Sequence, residues 1–149
     1  MTFAPKHILV PVDGSENSKL ALTKAVDIAN AADAEILLLQ VVAPLYSSSE
    51  YAVAGVMDGM VTRAKQYVGE LAEKTKQETK FDRITPFVTQ DAPKPTIAKS
   101  FPETHHVDLI VIGATGTNAF ERAILGSTTG YVIRNADIDV LVIKDNAGE

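Results

Sequence analysis

Four strand-length segments of this chain are apolar along almost their whole run: Ile8-Leu9-Val10-Pro11-Val12, Ile36-Leu37-Leu38-Leu39-Gln40-Val41-Val42, Asp108-Leu109-Ile110-Val111-Ile112 and Val140-Leu141-Val142-Ile143. A strand with one wet face alternates apolar and polar residues. Runs like these need cover on both faces, which a mostly parallel sheet wrapped by helices provides. A fifth strand is read over 84–88. The segments between them carry helical spacing. Ala21, Ala25, Ile28, Ala29 and Ala32 share one face over 18–32, and Met57, Met60, Val61, Ala64, Val68, Leu71 and Ala72 share one face of a longer helix. The two methionines are read as core filling. A short helix is expected from Pro95 to about Thr104 and a last one over 127–135, while 43–55, with Pro44 and its serine cluster, reads as a mobile loop. Strict alternation of strand and helix predicts an α/β fold with one doubly wound sheet.

Composition narrows what such a sheet can serve. At 149 residues, positions 1–149 are expected to form a single domain. A net charge of -5 repels DNA, RNA and anionic lipid, so neither nucleic acid nor membrane is an expected partner. The chain has no cysteine, which excludes disulfides, thiolate metal sites and cysteine nucleophiles. With no signal-peptide pattern at the start and no apolar run of about 20 residues, a cytoplasmic location is expected.

In doubly wound sheets, ligands bind beyond the carboxyl ends of the strands, where successive crossovers leave for opposite faces. There the chain reads Gly113-Ala114-Thr115-Gly116, then nine residues, then Gly126-Ser127-Thr128-Thr129 at the start of the last helix. Glycines let backbone N–H groups approach phosphate oxygens, and a helix N-terminus adds the positive end of its dipole. Gly-x2-Gly alone better suits a plain turn followed by a serine cap; position and spacing together reverse that and favour phosphate. Asp13, in the turn Asp13-Gly14-Ser15 after the first strand, can contact a ligand or simply cap the first helix. Arg122 can reach phosphates or stand exposed.

The pattern Gly-x2-Gly-x9-Gly-Ser resembles the ATP-binding signature of universal stress proteins, and Val10-Pro11-Val12-Asp13-Gly14-Ser15 and Val140-Leu141-Val142-Ile143-Lys144 are similar too. The resemblance runs from end to end. It implies a Rossmann-like sheet of the adenine-nucleotide alpha hydrolase type, five strands in the order 3-2-1-4-5, and ATP with Mg2+ as the ligand. It also implies roles for particular residues. Asp13, beside Pro11 and Val12, would contact the ribose and adenine region; Val41 would flank the adenine; Gly113 would border the ribose; Gly116, Gly126, Ser127, Thr128 and Thr129 would hold the phosphates. The function implied is that of a nucleotide-dependent stress-response or signalling dimer with little or no ATP turnover. The alternative is a protein-interaction member of the same fold that binds no nucleotide. The last strand, an edge strand in that order, would pair with its twofold mate to make a homodimer.

Other chemistries fit less well. A dinucleotide-binding reductase needs further β-α units after its glycines, and few residues follow Gly116. No Gly-x4-Gly-Lys-Ser/Thr is present, so P-loop chemistry is not available. His105-His106 lacks a third ligand at metal-site spacing and reads as a solvated loop pair. Ser15 and Ser18 have no readable His and Asp partners for nucleophilic catalysis.

Overall fold

The computed structural model of the chain describes residues 3–46, 49–115 and 125–145. Five parallel strands, β1 His7–Pro11, β2 Glu35–Val42, β3 Ile84–Gln90, β4 Leu109–Gly113 and β5 Asp139–Ile143, form one sheet in the order β3-β2-β1-β4-β5. This is the sheet and the strand order expected. Ile8 pairs with Ile36 on one side and Leu109 on the other, so β1 is central. Ile8, Leu9, Val10, Ile110 and Val111 expose no surface, which is why the run from Ile8 and the run from Leu109 carry no polar side chain on either face.

Helices α1 Glu16–Ala32 and α2 Glu50–Thr79 cover one face, packing Ala21, Ala25, Val68 and Ala72 onto Ile8, Val10, Ile36 and Leu38. The helical run over 93–105 and α5 Ser127–Asn135 cover the other, where Ile97, Phe101 and Val132 meet Leu9, Leu37, Leu39 and Ile110. Met57 and Met60 fill a smaller cluster with Val42 and Ala64, as read from the sequence. Among the described residues no helix is long and apolar enough to cross a membrane.

Three local expectations are corrected. The segment read as a loop over 43–55 turns helical at Glu50, because the Ser49 side chain accepts from the Ala52 N–H at 3.3 Å and caps α2; positions 47 and 48 lie outside the described residues. The short helix expected from Pro95 starts earlier and has three parts: α3 Pro93–Pro95, a π turn Thr96–Ser100 and α4 Phe101–His105. Phe101 N–H reaches back five residues to Thr96 O, and Pro102, which has no N–H to offer, finds room for its ring in the widened turn. Of the histidines read as a solvated loop pair, His105 instead ends α4 with its ring stacked 3.9 Å from that of Phe101, while His106, exposed, is the left-handed cap that stops the helix.

Because Ile110 is sealed between both helical layers, Ile110→Ala should lower unfolding free energy by about 2–5 kcal/mol in a urea melt. An unchanged midpoint would show that β4 is not a central strand.

Candidate functional site at the carboxyl ends of β1 and β4

The chain leaves β1 through a turn fixed by its own side chains. Val12 N–H donates to Leu39 O at 2.8 Å, keeping the chain beside β2 one residue beyond Pro11, and Val12 is buried. Asp13 is exposed, and its Oδ1 accepts the Ser15 N–H at 2.9 Å. Gly14 takes φ 87°, a conformation that side chains with a Cβ resist. The helix cap is Ser15, whose Oγ accepts the Ser18 N–H at 3.2 Å. Asp13 is therefore not the cap of α1; it shapes the preceding turn and keeps its second carboxylate oxygen for other partners.

The chain leaves β4 in the opposite sense. Ala114 N–H donates to Ile143 O, and Gly126 N–H donates back to Ala114 O, both at 2.8 Å, so the chain returns to the end of β4 before α5 begins. Thr129 Oγ1 donates to Gly113 O at 2.7 Å from a buried position, pinning the first turn of α5 over the last residue of the strand. Gly126 supplies α5 with no side-chain cap. The first-turn N–H groups of Ser127, Thr128 and Thr129 thus form an electropositive end with no side-chain acceptor from Gly126. The Thr129 hydroxyl is already committed to Gly113, which leaves its backbone N–H as the group it can offer an anion.

Asn17 joins the two exits. A Cβ placed on Gly113 would lie 2.8 Å from the Asn17 carbonyl carbon and 2.9 Å from its oxygen, so the first turn of α1 rests directly on the end of β4. Asn17 Nδ2 also donates to Thr115 Oγ1. Asn17 Oδ1 is buried without a partner among the described residues, as are Gln40 Oε1, Thr89 Oγ1 and the Tyr67 hydroxyl. Val41, half-buried near the end of β2, pairs in register with Thr89 and packs on the face covered by α5. Tyr67 on α2 has its ionisation pushed above the usual phenol range, first by burial and then by the negative charges of Asp13 and Glu16.

The fold thus brings Pro11, Val12 and Asp13 beside Gly113, with Gly126, Ser127, Thr128 and Thr129 just past it. Val41 stands one strand further, about 5 Å away at ordinary strand spacing. Gly116 and Arg122 lie outside the described residues. Among the described residues no three of His, Asp or Glu gather as a metal site. Sequence reasoning passed over Asn17, Thr89 and Tyr67, whose place near the crevice depends on contacts between distant segments.

A family profile described as the universal stress protein family matches residues 5–144. The chain belongs to the universal stress protein family. A curated universal stress protein relative from Staphylococcus haemolyticus is 33% identical over 143 residues, covering 93% of this chain and 84% of its own. The solved universal stress protein UspA from Lactobacillus plantarum superposes with a TM-score of 0.84 at 32% identity, over 96% of this chain and 100% of that one. A universal stress protein family member from Arabidopsis thaliana, solved with AMP bound, shares the fold at a TM-score of 0.66 and 19% identity, over 96% of this chain and 94% of that one.

Within this universal stress protein fold the two glycines flanking the crevice should respond differently to a methyl group. Gly113→Ala should destabilise by about 1–3 kcal/mol, because backbone atoms of Asn17 must move, whereas Gly14→Ala meets open space and should cost about 1–2 kcal/mol through its positive φ alone. Thermal melts check the size of each loss. Amide chemical shifts separate the causes: Gly113→Ala should shift the first turn of α1, and a spectrum unchanged there would overturn the close contact.

Proposed function

We propose that this chain binds ATP with Mg2+ in the crevice between the exits of β1 and β4, and that it acts as a nucleotide-dependent homodimer in stress response or signalling. The observation that carries the reading is the uncapped start of α5, drawn over the end of β4 by the Gly126 and Thr129 hydrogen bonds. Phosphates would meet the N–H groups of Ser127, Thr128 and Thr129, together with Gly116 and Gly126. The ribose would lie against Gly113 and Asp13, and the adenine against Val41, Val12 and Pro11. Mg2+ would be held chiefly by the phosphates, as is usual for an ion that dehydrates reluctantly. AMP in the Arabidopsis fold-mate is consistent with an adenine nucleotide.

Little or no turnover is part of the proposal. The sequence has no P-loop lysine and no general base is assignable among the described residues, so binding rather than hydrolysis would carry the signal. A protein-interaction role without nucleotide is the second reading. It draws on Tyr46 and Tyr51, 92% and 95% exposed near the start of α2.

The dimer would form through β5, which ends the sheet. Ile143 O faces β4, so the alternation of a parallel ladder turns the Val142 N–H outward. Leu141 in β5 exposes apolar surface.

Isothermal calorimetry with Mg-ATP and AMP tests the site. Asp13→Asn, which can keep the bond from Ser15, should weaken both ligands about tenfold or more. A loss for ATP alone would move Asp13 to the phosphates, and wild-type protein that binds neither nucleotide would favour the second reading. Steady-state ATP hydrolysis should stay below about 1 s⁻¹, the low end of ordinary enzyme rates.

Val142→Pro removes an outward donor and should give a folded monomer by light scattering and circular dichroism. A folded dimer would place the interface elsewhere.

A further inference from the structure

Asn17 stands in the first turn of α1, between the turn that holds Asp13 and the end of β4. Its Nδ2 is engaged by Thr115 Oγ1, while Oδ1 is buried and has no partner among the described residues. A buried carbonyl oxygen left unpaired costs about 1–3 kcal/mol, so a donor brought to it is favoured. Phosphate cannot serve, because at neutral pH its oxygens only accept. What a nucleotide offers near the junction of base and phosphates is a pair of sugar hydroxyls. Since Oδ1 is shut off from solvent, reaching a ligand requires the amide to turn about χ2, a soft torsion in asparagine.

Resting on the nucleotide reading above, we infer that Asn17 contacts the sugar, its Oδ1 accepting a hydrogen bond from one ribose hydroxyl. Turning the amide parts Nδ2 from Thr115 Oγ1, so a filled sugar site exchanges the bond between residues 17 and 115 for one to ribose. An aspartate at 17 would keep the accepting oxygen, and the Thr115 hydroxyl can rotate to donate to the other. A leucine of similar size would keep neither bond.

The test is calorimetric binding of adenosine, 2′-deoxyadenosine, 3′-deoxyadenosine and Mg-ATP to wild type, Asn17→Leu and Asn17→Asp. Asn17→Leu should bind adenosine about tenfold more weakly than wild type does. The deoxynucleoside that lacks the paired hydroxyl should bind both proteins equally. Asn17→Asp should hold adenosine near the wild-type affinity. Equal losses for all three nucleosides would reduce Asn17 to a structural role and overturn the inference. A loss confined to Mg-ATP would also overturn it, placing the amide at the phosphates. If Asn17→Leu does not fold by circular dichroism, Asn17→Ala makes the same comparison. Wild type that binds neither adenosine nor ATP overturns this inference together with the nucleotide reading; wild type that binds them while the Leu variant matches it on every ligand overturns this inference alone.

Discussion

β1 and β4 lie side by side with Leu9 paired to Ile110, both sealed from solvent, and from this pair the chain departs in opposite directions. β1 feeds α1 on one face of the sheet and β4 feeds α5 on the other. Burial of the pair is what obliges the two helices to part: each face needs its own cover, and a single helix cannot serve both. The crevice follows from that parting. Its walls are the first turns of α1 and α5, so the groups with unused N–H and oxygen atoms gather at the rim of the most apolar part of the molecule.

Much of this was legible in the chain. Continuous apolar runs gave away β1, β2 and β4, and the spacing from Gly113 to Ser127 pointed to the α5 entrance. What stayed hidden has physical causes. Gly55 and Gly59 lower helix propensity just where α2 begins, and a run of serines looks like loop until one of them is seen to cap. The helical run opens at Pro93, two residues ahead of the start read at Pro95, and nothing in the sequence marks the π turn over 96–100 that precedes Pro102. Asn17 carries no mark in its own neighbourhood. It sits on an exposed-looking helix start, and only the meeting of residues 17 and 113 reveals it.

The polar groups around the crevice differ in how they are held. Asp13, Ser15 and Ser18 satisfy one another within a single turn, so that corner is stiff before any ligand arrives. Among the described residues Asn17, Gln40, Thr89 and Tyr67 each keep a buried atom unpaired. The corner at Asp13 is held by its own hydrogen bonds, whereas each unpaired buried atom is a cost that the fold carries.

The π turn over 96–100 amounts to an α-helix with one residue added. Each residue turns an α-helix by about 100°, so the extra one swings everything after it by that angle relative to the first turn. This rotation aims the rings of Phe101 and His105 at Phe87 on the edge strand β3, 5.3 Å and 5.0 Å away between centroids. Aligned with a relative whose helix is regular here, the chain would require a single-residue gap.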